Sequence, residues 1–129
     1  MPQLSLDLGL EIHHSNLCSE ITLPTDENRT AVCCLSSVNL EEYDEWKSDD
    51  LFIPDLIRML DNVLSHFITN APPELHRAVY SAKQERSLGL GAMGFHAYLQ
   101  RHSIPFESVI AKIRNKQMFH EIKEKAYEY

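Results

Sequence analysis

Only four glycines and six prolines interrupt these 129 residues, too few for a low-complexity or linker-like polypeptide. Basic residues are also in short supply. Twelve Lys and Arg against nineteen Asp and Glu give a formal charge of −7, which disfavours a free-standing nucleic-acid binder because phosphate neutralisation needs clustered cations. No apolar run approaches the ~20 residues that a spanning helix requires. The opening "MPQLSLDLGLE" has no basic region followed by an apolar core, so it does not resemble a secretory signal. Three cysteines, two of them adjacent, cannot build the disulfide framework of a small secreted domain. These absences leave a globular chain of ordinary composition, 43% hydrophobic and 24% charged, long enough for one modest core and expected in a reducing, cytoplasmic compartment without membrane attachment.

Hydrophobic periodicity divides the chain. Leu4, Leu6, Leu8 and Leu10 alternate with other residues, a period of two that predicts an extended segment. "LPTDENRT" reads as a turn or exposed loop. "TAVCCLSSVNL" reads as a buried strand followed by a turn, and "EEYDEWKSDD" as a solvated connection or short helical turn. From Leu51 the period lengthens. Ile53, Leu56, Ile57, Leu60, Val63, Leu64 and Phe67 mark an amphipathic helix ending near Asn70, with Pro54 tolerated in its first turn. A shorter helix is expected over Glu74 to Gln84. "RSLGLGAMG" breaks the pattern, and "FHAYLQRH" resumes it until Pro105. The final stretch is strongly helical, with Val109, Ile113, Phe119, Ile122 and Ala126 on its apolar side, and it stops without a capping glycine or asparagine, as a piece of a longer chain would.

"SNLCSEITLPT" carries the chemistry. If it is extended, Asn16, Cys18 and Glu20 share one face while Leu17, Ser19 and Ile21 pack behind. A lone buried cysteine is more often a small packing residue than a reagent, so this triplet is a weak signal by itself. In "AVCCLSS", a strand sends Cys33 and Cys34 to opposite faces, and only one of them can look into a cavity beside Cys18. "GLGAMG" matches G-x-G-x-x-G, but a dinucleotide fingerprint needs a buried strand before it. The preceding "YSAKQERS" is polar and charged, so the segment reads instead as a tight small-residue connection.

N-L-C-x-E-I followed by A-V-C-x-L-S-S resembles the large, catalytic subunit of ribonucleotide reductase of the aerobic class I type. "RSLGLGAMGFHAYLQRHSIPFES" is similar to the same subunit, so the likeness runs from about residue 12 to the end and covers a central portion of a longer subunit. The implied fold is α/β, a fragment of a ten-stranded α/β barrel. Residues 1–129 would be a partial catalytic barrel domain, with the active-site loop and adjoining strand in 1–40 and a mainly helical part in 51–129.

The resemblance also implies roles. Cys18 matches the cysteine that becomes a thiyl radical and takes the hydrogen from C3′ of the ribose. Glu20 matches the carboxylate that accepts the 3′-hydroxyl proton, and Asn16 the amide that binds and orients the substrate. Cys33 matches one member of the redox-active pair, and Cys34 occupies a variable position assigned to packing. No cofactor or metal is expected in this piece, because the family's radical comes from a metal-containing small subunit. Further implied partners are a ribonucleoside diphosphate, the remaining parts of the large subunit, and thioredoxin or glutaredoxin. This chain lacks a first partner cysteine for Cys33, the family's P-T-x-S segment, its paired relay tyrosines, its regulatory domain and its cysteine-bearing tail, so it is expected to be inactive alone. Two other readings compete. His13, His14, Cys18, Cys33 and Cys34 could hold zinc, although no C-x2-C or H-x3-H spacing accompanies them. A small helical interaction module would use the Ile53–Phe67 stripe and leave the cysteines as packing. Tyr43 and Trp46 read as local packing, and His66, His76, His96, His102 and His120 as surface or interhelical residues.

Overall fold

The computed structural model describes residues 9–17, 19 and 21–128. The alternating leucines at 4, 6 and 8 lie outside that range. Strand β1 (Cys34–Asn39) leads through a 3-10 turn at Leu40–Glu42 into α1 (Tyr43–Trp46) and the long α2 (Phe52–Asn70). A second 3-10 turn at Pro73–Leu75 precedes α3 (His76–Glu85). Then come β2 (Leu88–Met93), α4 (Phe95–Arg101) and α5 (Val109–Tyr127). The two strands pair in parallel, as the long helical crossover between them requires. The fold is therefore α/β and helix-rich.

Contacts separate two compact units. One comprises the described residues up to Cys34 together with Asn62–Ser87, and the other Leu35–Asp61 together with the described residues from Leu88 onward. In the second unit Val38, Leu40, Tyr43, Trp46, Ile53, Tyr98, Leu99, Ala111, Met118 and Ile122 form the core. "EEYDEWKSDD" thus forms the short helical turn that was one of its two expected states, and it carries core residues. Asn39 accepts from the Glu41 N–H at 3.1 Å, starting the 3-10 turn as short polar side chains do at such ends. That turn throws Tyr43 and Trp46 inward, where their rings meet edge to face at 5.1 Å. The Trp46 indole donates to the Asn39 carbonyl at 3.1 Å. These aromatics are packing residues, as their setting in the sequence suggested.

The Tyr43 hydroxyl donates to Glu121 on α5. Burial, reinforced by that carboxylate, pushes the Tyr43 pKa well above the ordinary tyrosine value. The fold holds the neutral phenol, so its contribution is complete below about pH 10 and is lost as pH rises beyond it. We expect urea midpoints at about pH 8 and about pH 11 to differ more in the wild-type chain than in Tyr43→Phe, which should cost about 1–2 kcal/mol at neutral pH.

Two elements differ from the periodicity reading. "LGLGAM" is not a connection but strand β2: Leu90 and Ala92 pack toward the core while Gly91 and Met93 face outward. A Cβ at Gly91 would sit 3.1 Å from the Ser37 hydroxyl of β1 and 3.8 Å from the Ser36 carbonyl oxygen, so this glycine lies against the neighbouring strand. In α5 the buried side is Ala111, Met118 and Ile122, whereas Val109, Ile113 and Phe119 are exposed. The helix has apolar residues on more than one side: of the expected set Ile122 is buried and Ala126 packs against the core, whereas the other three face outward. Its start is legible in "PFES": the Ser108 hydroxyl accepts from the Ala111 N–H at 3.1 Å, a capping bond at the first turn.

Candidate active-site segment

The candidate residues belong to the first unit. Asn16 opens a tight turn rather than an extended run. Its backbone N–H donates to the Ile21 carbonyl at 3.2 Å, and the Ser19 N–H donates back to the Asn16 carbonyl at 3.0 Å. The Asn16 side-chain oxygen accepts from the Ile21 N–H at 3.0 Å. Ser19 adopts φ +63°, the left-handed value that such a reversal needs and that costs a side-chain-bearing residue roughly 1–2 kcal/mol. The expected packing of Leu17 and Ser19 behind a strand therefore fails. Leu17 is fully exposed and Ser19 is exposed, rather than packing behind a strand. The physical reason is local: an asparagine side chain that can bond its own backbone competes with strand geometry. Cys18 and Glu20 lie outside the described residues.

The Asn16 oxygen holds the turn together, a role that its sequence pattern did not reveal. Asn16→Ala should loosen the turn by about 1 kcal/mol, whereas Asn16→Asp retains the acceptor and should preserve it. Amide exchange at Ile21 would distinguish them, with fast exchange expected in the alanine variant only.

From Ile21 the chain runs to a hairpin bend where Asp26 and Arg29 form an antiparallel bridge. The Asp26 carboxylate accepts from the Asn28 N–H at 2.7 Å, the polar turn that "TDENRT" signals. Arg29 turns inward and forms an ion pair with Glu85 near the end of α3. Its guanidinium also lies 5.3 Å from the Tyr80 ring centre. The Thr30 N–H donates to the Arg77 carbonyl at 3.4 Å. Burial raises the Glu85 pKa above the ordinary carboxylate value, and the neighbouring Arg29 opposes that shift. Nothing in the sequence pairs residues 29 and 85, because only the fold brings them together.

Cys33 immediately precedes β1 and is half-buried. Its thiol donates to the Cys34 carbonyl at 3.7 Å. Cys34 is the first residue of the strand and is not bridged to Cys33. Burial raises the Cys34 pKa, which disfavours the reactive thiolate. The structure thus places Asn16 in a turn and Cys33 at the N-terminal edge of a strand, with an anchored hairpin between them. His13 sits near Glu11 at 3.6 Å. Among the described residues no three His, Cys, Asp or Glu side chains gather as metal ligands, so the described geometry gives the zinc reading no support. No described helix is long and apolar enough to cross a membrane.

By fold and site, this is a segment of an α/β protein with Cys33 and Cys34 at one end of a strand. Residues 6–129 match the family model for the ribonucleotide reductase barrel domain. The chain is 54% identical over 119 residues to the ribonucleoside-diphosphate reductase large subunit of Invertebrate iridescent virus 3, covering 92% of this chain and 19% of that protein. With the large subunit of Invertebrate iridescent virus 6 it shares 59% identity over 108 residues, covering 84% and 11%. The solved Actinobacillus ureae class Id ribonucleotide reductase alpha subunit superposes with a TM-score of 0.88 at 41% identity, covering 96% of this chain and 24% of that one. The chain belongs to the ribonucleotide reductase large-subunit family, as a piece of its barrel domain. It spans about a fifth or less of the length of these two viral relatives.

Proposed function

We propose that the chain forms part of the catalytic subunit of a ribonucleoside-diphosphate reductase and needs further segments or chains for activity. The observation that carries this reading is the match through residues 6–129, which includes the segment with Asn16, Cys18, Glu20 and Cys33. The parent fold on this reading is the ten-stranded barrel.

The proposed chemistry follows from the residue types. A Cys18 thiyl takes the C3′ hydrogen, because an S–H bond is weak enough to exchange a hydrogen atom with carbon nearly evenly. Glu20 accepts the 3′-hydroxyl proton, which requires hydrogen-bond reach. Asn16 orients the nucleotide by hydrogen bonding, and the turn that its side chain closes favours a fixed pose. Cys33 and a second thiol supply two electrons as the 2′ hydroxyl departs as water, and become a disulfide. A metal-containing small subunit supplies the radical. Thioredoxin or glutaredoxin restores the dithiol, and the reducing cytoplasm suits that cycle. The zinc and helical-module readings are set aside, since neither explains likeness to one family along nearly the whole chain.

A chimera tests the proposal. Residues 6–129 would replace the matching segment of the Invertebrate iridescent virus 3 large subunit, assayed with its small subunit and a dithiol reductant. The expected result is conversion of ribonucleoside diphosphates to deoxyribonucleotides. A folded, nucleotide-binding chimera without turnover would overturn it.

A further inference from the structure

We propose that the outward side of α5 is a docking face for an acidic, amphipathic helix from the part of the large subunit that lies outside this chain. The inference deepens the proposed function and rests on its claim that further segments complete the catalytic subunit. One side of α5 is already in use, since Ala111, Met118 and Ile122 enter the core. On the opposite side Val109, Ile113, Lys116, His120, Lys123 and Tyr127 recur at alternating steps of four and three residues. That spacing keeps side chains in one row along a helix, where a second helix can lie against them. All six are exposed, along about 27 Å of helix. Val109 and Ile113 are 71% and 57% exposed, and Ile110 and Phe106 add to the uncovered apolar surface. The Phe106 ring is ordered against His96, edge to face at 5.9 Å. Grouped exposed apolar side chains with a polar rim mark places where another surface packs. A helix that carries apolar residues on two sides is one that packs on two sides.

Charge selects the occupant. Lys125, on the inward side, is only 12% exposed and pairs with Asp50 and Glu121, each at 3.3 Å. In the outward row, Lys116 and Lys123 reach no carboxylate among the described residues. Lys123 lies instead 5.8 Å from the Tyr127 ring centre. The row thus runs from aliphatic to basic, and its complement is a helix presenting apolar residues and then carboxylates. A second copy of α5 is a poor match. Parallel pairing sets Lys116 against Lys116, and antiparallel pairing sets Lys123 against Ile113 and Lys116 beside His120. The rest of the large subunit supplies the alternative. The likeness takes in 92% of this chain but 19% of the Invertebrate iridescent virus 3 subunit, and 96% against 24% for the solved alpha subunit. In those proteins the remainder is joined covalently to this fold, so a contact of modest area suffices, being intramolecular.

Carbene footprinting tests the face. A photoactivated aryl diazirine, which inserts into side chains it can reach, is applied to the 129-residue chain and to the chimera that carries residues 6–129. Each protein in guanidinium serves as the open reference. Insertion at Val109 and Ile113, resolved by tandem mass spectrometry, is expected to be at least about tenfold lower in the chimera than in the chain. Lys116→Glu with Lys123→Glu in the chimera should raise it again by at least about threefold, because carboxylate would then face carboxylate. Lys116→Arg with Lys123→Arg should leave the protection in place. Circular dichroism and nucleotide binding check that the chimera is folded. If it is not, the viral subunit itself, footprinted at the positions aligned with Val109 and Ile113, decides. Equal insertion in the chain and the folded subunit overturns the docking face. Protection that charge reversal leaves untouched overturns the acidic partner. Protection in the chain alone that disappears on dilution, with a dimer in sedimentation, overturns the proposal in favour of a second copy. Turnover is read separately. A folded chimera protected at α5 but unable to reduce nucleotides overturns the proposed function alone, and an active chimera open at α5 overturns the docking face alone.

Discussion

Cys18→Ser in the chimeric subunit is expected to lower nucleotide reduction by at least about 10³-fold, to the assay background. Serine keeps the shape of the side chain, although its hydroxyl is smaller and more polar than a thiol, so nucleotide binding should change little. What it loses is a bond weak enough to be broken and remade against carbon, since an O–H bond is far stronger than an S–H bond. Cys33→Ser should also abolish sustained turnover, for a different reason: the nucleotide would have no complete dithiol from which to draw two electrons. The two variants separate in one measurement. With substrate tritiated at C3′, Cys18→Ser should release no tritium to water, whereas Cys33→Ser should still release some, because hydrogen abstraction precedes reduction. Retained turnover in Cys18→Ser would remove the radical assignment. Tritium release from neither variant would place Cys33 in the abstraction step rather than in reduction.

Gly94→Ala is expected to be the most damaging single-methyl change, at about 3 kcal/mol, a large share of the 5–15 kcal/mol that holds a typical domain together. Gly94 precedes α4 at φ +78°, where a side chain costs about 1–2 kcal/mol. Its Cβ would also approach the Glu41 N–H nitrogen to 3.0 Å and collide with the Asn39 side-chain oxygen. That oxygen caps the 3-10 turn, so losing its bond adds about 1 kcal/mol and loosens the turn that delivers Tyr43 and Trp46 to the core. Two other glycines act as controls. Gly9 shares the left-handed conformation at φ +66° but a Cβ there would meet nothing within 4 Å among the described residues, so Gly9→Ala should cost only the backbone term of about 1–2 kcal/mol. Gly91 meets chiefly the Ser37 hydroxyl, which can rotate away, so Gly91→Ala should cost less still. Urea unfolding of the three variants would show the order Gly94, Gly9, Gly91. Equal losses at Gly94 and Gly9 would mean that the collision with the capped turn carries no weight.

Much of this architecture is legible along the chain because it depends on near neighbours. The stripe from Ile53 to Phe67 specifies α2, the polar bend at "TDENRT" specifies the hairpin, and Ser108 starts α5. The motifs around Cys18 and Cys33 are where the sequence resembles the family that the match over residues 6–129 shows. Where the sequence misleads, two local rules compete. Alternation at 15–21 reads as a strand, but Asn16 can bond the Ile21 N–H and the chain reverses. Glycines in "GLGAM" read as a break, but β1 lies alongside and gives that segment a pairing partner.

The helices, the bend and the family were readable along the chain, because periodicity, capping and motif are properties of residues a few positions apart. Only the tertiary structure decided which side of α5 is buried and that Arg29 meets Glu85 across 56 positions. Those outcomes depend on which distant surfaces meet. A short stretch of chain does not encode its partner, so burial and charge pairing settle such choices only when the whole segment folds.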